Sequence, residues 1–202
     1  APYFYKYKYI YSNDESSYPF TIYRELKDKK NFNLAKIKSK EPSNHHDLFY
    51  KAYVLQKDNR QKGLAYINKA LEIKPKREIY HFLKYKLEEN RESSLESIND
   101  AIYFSSDRNR FVYLDEKYKF LHFRYGQDEA LVFAKEIKDS LKSASRGTRS
   151  LLPLMSFIAM NAKNSGDLKL ACEMYFERYR RAGHDWDYDR MQAYSCSRYL
   201  KN

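Results

Sequence analysis

The sequence predicts an all-α protein built from repeated helix–turn–helix units. Three observations predict it. Glycine and proline are scarce, five of each in 202 residues, too few to make the turns of an all-β chain. Apolar residues recur at helical spacing through the middle of the chain, as at Leu64, Ile67 and Leu71. The chain also resembles itself: GLAYINKALEIKP, residues 63–75, superposes on SLESINDAIYFSS, residues 94–106. The shared pattern is small-Leu-x-x-Ile-Asn-x-Ala-aliphatic, and Ala70 and Ala101 stand 31 residues apart. A fixed period of this size marks a repeat architecture.

The elements follow in order. The chain opens APYFYKYKYIY, with Tyr3, Tyr5, Tyr7, Tyr9 and Tyr11 at alternate positions. Period 2 suits an extended strand, so residues 1–20 are expected as a tyrosine-rich extended segment. Its aromatic face needs a partner. It could cap the first hairpin, pair as an edge with another chain, or stay disordered in isolation. Next, Tyr18, Phe20 and Ile22 alternate, which permits a second strand and a hairpin through SNDESS. The favoured alternative has helices at about 21–29 and 33–38, forming a degenerate first hairpin.

Four clearer units follow. HDLFYKAYVLQK precedes the 63–75 stretch, and EIYHFLKYKLEE precedes 94–106. FVYLDEKYKFLHFRY precedes a third copy, ALVFAKEI, which begins at Ala130. LLPLMSFIAMNAK precedes a fourth, SGDLKLACEMYFERY, which puts Gly166, Ala171 and Tyr175 in similar relation. SASRGTRS, residues 143–150, reads as a linker. GHDWDYDRMQAYSCSRYL reads as a turn and a capping helix over 187–200, with Asp185 or Asp187 as its N-cap.

These residues resemble the tetratricopeptide repeat (TPR) superfamily. Gly63 stands at the family's small position in the second helix, Ile67 at its large apolar position, Ala70 at its second small position, and Pro75 at its terminating proline. Ala159, Gly166, Ala171 and Tyr175 match in the last unit. The second unit lacks the proline, and the third has Ala134 at the large apolar position. The resemblance implies a right-handed superhelical array of hairpins. It makes 21–202 a single repeat domain, clearest over 44–182. It also implies a groove lined by the first helix of each hairpin. Matching positions fall on His45, Leu48, Ala52, Leu55 and Gln56; on Ile79, Leu83 and Lys86; on Lys119, His122 and Phe123; and on Met160, Lys163 and Asn164. Lys86, Lys119 and Lys163 would form a basic ladder suited to an acidic peptide.

Charge and motifs narrow the function. Lys and Arg number 38 against 27 Asp and Glu, a formal net charge of +11. That attracts acidic protein faces, nucleic acid, anionic lipid or acidic polysaccharide without choosing among them. No apolar run is long enough to span a membrane. The Ala-Pro-Tyr start fits a mature chain left by signal cleavage, or a fragment. Asp185, Asp187 and Asp189 resemble the opening of a calcium loop. Arg190 and Cys196 stand where that loop needs Gly and Glu. His45-His46-Asp47 has no second ligand cluster at helical spacing and reads as a helix cap. No nucleophile elbow or phosphate-binding loop occurs. The chain is expected to be no enzyme, with no metal and no cofactor.

Cys172 and Cys196 are each twelve residues from His184, near the expected turn. An antiparallel hairpin would bring them to one height, which a disulfide requires. Two buried free thiols are the alternative. The expected function is a protein–protein interaction scaffold. Its strongest resemblance is to periplasmic TPR regions of bacterial outer-membrane secretion proteins, the exopolysaccharide exporters and phage-adsorption receptors among them. That places it in the periplasm or cell envelope, with the cytoplasm as the alternative. The competing function is a nucleic-acid or anionic-polymer binder acting through its basic surface.

Overall fold

A computed structural model describes residues 41–144 and 151–182, together with 192, 193, 195 and 196. Among these residues there are eight α-helices and no strand. They are α1 (His45–Leu55), α2 (Arg60–Ile73), α3 (Glu78–Leu87), α4 (Arg91–Phe104), α5 (Asp107–Arg124), α6 (Gln127–Ser143), α7 (Leu151–Asn164) and α8 (Leu168–Ala182). The eight helical runs anticipated between residues 46 and 179 each fall on one of them. The tyrosine-rich segment 1–20, the helices expected at 21–29 and 33–38, and the caps at Asp185 or Asp187 lie outside the described residues.

The chain divides into two compact units, Ala1–Arg110 and Phe111–Asn202. In the first, α1 packs on α2, α2 on α3, and α3 on α4. Their core holds Leu48, Phe49, Ala52, Ile67, Ala70, Tyr80, Leu83 and Leu87. Ile67 and Ala70 are fully enclosed, as are Ile98 and Ala101. Burying a side chain the size of Ile67 or Ile98 contributes about 1.5–3 kcal/mol each.

Gly63 shows why the small position is small. A β-carbon there would lie 3.1 Å from the Ala52 carbonyl oxygen and 3.2 Å from Leu87 Cδ2. The second hairpin has Ser94 at this position. Its hydroxyl folds back to donate to the Asn90 carbonyl at 2.7 Å.

The helix starts repeat as well. Asn59 caps α2 by accepting from the Lys62 amide at 3.0 Å. Asn90 caps α4 by accepting from Glu92 and Ser93. These caps are 31 residues apart, the same interval as Ala70 and Ala101. Asn44 caps α1, accepting from the His46 and Asp47 amides. The His45-His46-Asp47 cap reading is therefore corrected by one residue. An Asn oxygen reaches the free amides of the first turn from outside the helix, and His45 is already inside it.

In the second unit, α7 packs on α8 and α6 on α7. Tyr113, Tyr118, Leu141, Leu151, Leu154, Met155, Ile158 and Met174 are its largest enclosed side chains. Ala130, Ala134, Ala159, Ala162 and Ala171 are enclosed too and let the backbones approach. Gly166 lies in the turn between α7 and α8 with φ +85°, which glycine adopts without steric cost. The Asp167 amide then closes back to the Ala162 carbonyl at 2.9 Å, a Schellman-type stop for α7. Ala171 takes the packing role.

Candidate interaction surface

The sequence-predicted groove residues divide between core and surface. Leu48, Ala52 and Leu83 are core residues, at most 8% exposed. They belong to one buried cluster with Phe49, Ile67 and Tyr80. Helix geometry explains this. A first helix that packs against its own second helix and against the next hairpin buries most of its circumference.

Lys86, in the first unit, is half-buried. Its ammonium lies 4.9 Å from the Tyr85 ring centroid and 5.2 Å from that of Phe82, a cation–π setting. Nearby, His81 Nε2 lies 2.7 Å from the Pro75 carbonyl, and His45 Nδ1 bonds the Tyr80 hydroxyl at 2.7 Å. Burial, opposed by Arg77, pushes the Tyr80 phenol up to about 12.

The second unit carries the more distinctive face. Lys119, His122 and Phe123 project from α5 at spacings of three and four, so they share one side. Phe157, Met160 and Lys163 do the same on α7. The rings join the two helices: Phe157 lies 5.0 Å from His122, 5.3 Å from Tyr118 and 6.2 Å from Phe123 by centroids. Phe123 is 74% exposed and Met160 48%. Phe123 therefore stands exposed beside the half-buried Phe157, and contiguous exposed apolar patches mark interaction sites.

A buried polar frame lies beneath. Asn161 is buried, and its Nδ2 donates to the Tyr118 hydroxyl at 2.9 Å. It also lies 3.2 Å from His122 Nδ1. The Asn161 carbonyl accepts from Gln127 Nε2 at 2.8 Å. Burial pushes the Tyr118 phenol up to about 12, the Asn161 bond opposing it. The contact with Asn161 ties the His122 ring to this buried frame, and Phe157 packs against both His122 and Tyr118.

The cations differ in availability. Lys119 is held by Asp115 at 2.6 Å on its own helix. Lys163 is exposed and reaches Gln192 at 3.3 Å. Of the residues on these two helices, the sequence pattern named His122, Phe123, Met160 and Lys163 and did not name Phe157 and Asn161. Phe157 carried the same signal as Met160, an apolar residue one helical turn away. Asn161 carried none, because a buried amide is recognisable only from its partners.

Among the described residues, no group of three or more His, Cys, Asp or Glu is placed to hold a metal ion. No helix among them is long and apolar enough to cross a membrane. Cys172 and Cys196 are joined, with sulfurs 2.08 Å and α-carbons 5.2 Å apart. The bridge ties α8 to the helical residues of the C-terminal segment. No protein-family model matches the chain, and no curated protein matches it either.

Proposed function

We propose that the chain is a TPR-like protein–protein interaction scaffold, a right-handed array of hairpins that receives a peptide or protein on its first-helix face. The observation that carries this reading is the paired α5–α7 surface. Phe123 and Met160 are exposed there over a buried polar frame, with Lys163 beside them. Apolar anchors ringed by polar and charged groups are how protein interfaces concentrate their energy. Lys163, exposed one turn beyond Met160 on α7, extends the reading to an acidic partner. The Cys172–Cys196 bridge supports an envelope setting, since disulfides persist in oxidising compartments.

The test is a pull-down from envelope extract with the wild-type chain and a Phe123→Ser, Met160→Ser variant. The double variant is expected to lose the partner while keeping its far-UV circular dichroism and Tm. Retention of the same partner by the variant overturns the surface assignment. A salt titration separates the second reading. Capture of an anionic polymer weakens steeply with salt, whereas an apolar-anchored protein partner depends on it less.

A further inference from the structure

The outer faces of α2 and α6 carry opposite charge at the same places in the repeat. Lys62 precedes the small residue Gly63 in α2, and Glu129 precedes the small residue Ala130 in α6. Seven residues further on stand Lys69 and Glu136. Seven residues return a side chain to nearly the same angle, about 10 Å along the axis, so each pair forms one stripe. All four side chains are exposed, as are Ala65 and Val132 between them. Val132 is 53% exposed.

Elsewhere the chain matches its charges internally, Lys119 with Asp115 and Lys142 with Glu173, both at 2.6 Å. Among the described residues, no salt bridge or side-chain hydrogen bond takes up Lys62, Lys69, Glu129 or Glu136. Glu136 acts on Lys117 of α5 without an ion pair. Two further carboxylates set a direction. Glu72 follows Lys69 and Asp139 follows Glu136, each by three residues, and both are exposed. Parallel helices in register would set Glu72 against Asp139. Antiparallel helices, with Lys62 opposite Glu136 and Lys69 opposite Glu129, separate those two and bring Ala65 to about the level of Val132.

We infer that the α2 face of one copy of this chain docks antiparallel on the α6 face of a second copy. Charge complementarity at one matched spacing names this occupant. Copies with a net charge of +11 repel one another at a distance, so contact requires local opposite charge of this kind. Exposed ion pairs contribute little each, which makes the association weak and salt-sensitive. Each copy offers one face of either kind, so the contact is heterologous and copies add head to tail. It uses neither Phe123 nor Met160 and stands apart from the α5–α7 face.

Sedimentation equilibrium on the intact, oxidised chain tests this. At low salt the mass is expected to rise with protein concentration from the micromolar into the millimolar range. At about 0.5 M salt, where charges are screened within a few ångströms, it should return to that of one chain. Lys62→Glu with Lys69→Glu, and separately Glu129→Lys with Glu136→Lys, should each keep the chain a monomer. The chain carrying all four reversals has the wild-type net charge and should associate again. So should an equimolar mixture of the two double variants. The Phe123→Ser, Met160→Ser variant should associate as wild type does, even where it loses a partner from extract. A wild-type chain that stays a monomer overturns the inference. So does association that either double reversal leaves intact, a mixture that stays monomeric, or association lost with Phe123 and Met160, which would move the contact to the α5–α7 face.

Discussion

Gly63 and Asp167 are two positions where one residue decides local geometry. Gly63 admits no side chain without pushing on a backbone oxygen that cannot rotate away. Gly63→Leu is therefore expected to cost about 1–3 kcal/mol through overpacking, read as a lower midpoint in urea unfolding. Asp167 begins α8. Its Oδ1 accepts from the Leu170 amide at 3.1 Å, and its Oδ2 meets Lys135 at 2.8 Å. The Lys135 bond, helped by the Leu170 amide and opposed by burial, holds its carboxyl below the usual value. A depressed folded-state value stabilises above the unfolded value, near 3.9. That contribution is lost as pH falls through the folded value. Asp167→Asn keeps an oxygen for the cap and loses the charge. The Tm gap between wild type and variant is expected to be present at pH 6 and to close as the solution is acidified below about pH 4.

Between helices, the fold uses side chains from one helix to finish the end of another. Arg60, at the start of α2, donates to the carbonyls of Leu87, Lys86 and Glu88 at 2.6, 2.9 and 2.9 Å. Those carbonyls end α3 and have no partner within it. In the second unit Gln127, at the start of α6, adds a second donor to the Asn161 carbonyl of α7, which also accepts from the Ser165 amide. Arg181 of α8 serves the Leu141 and Lys142 carbonyls of α6. A cationic donor at a helix C-terminus also opposes the negative end of the dipole. Arg60→Ala is expected to cost roughly 1.5–3 kcal/mol, the range for hydrogen bonds to a charged group. Arg60→Lys should recover only part of it, since one ammonium cannot match the planar fork. Hydrogen exchange resolves the effect: amides at the end of α3 should lose protection before those of α1.

For the whole molecule, the stability of the C-terminal end turns on covalent closure. Cys172 and Cys196 are buried and 24 residues apart in sequence. Closing a loop of that length stabilises by about 3 kcal/mol on the chain-entropy account. Thiol counting on unfolded, unreduced protein is expected to find no free thiol, and reduction is expected to lower the unfolding midpoint. Two free thiols would remove both the bridge and its support for an oxidising compartment. A double Cys→Ser variant separates loss of the bond from any effect of the reductant.

The sequence by itself determined the helices and their repetition. Apolar spacing along α2 and α4 is a local property, and so is the 31-residue return of Asn59, Gly63, Ile67 and Ala70 as Asn90, Ser94, Ile98 and Ala101. The caps obeyed the same interval and were legible there, although attention to apolar positions alone passed over them. Which face of each helix stays wet was decided only by the tertiary structure. Leu48, Ala52 and Leu83 were expected to line the same groove as Lys119 and His122, yet they are interior. Burial depends on what packs across from a side chain, and that neighbour is distant in sequence. The same holds for the Asn161 frame, whose Tyr118 partner lies 43 residues away. Local pattern fixes period and helix ends because those forces act within a turn. Exposure comes from contacts that exist only after the helices pack.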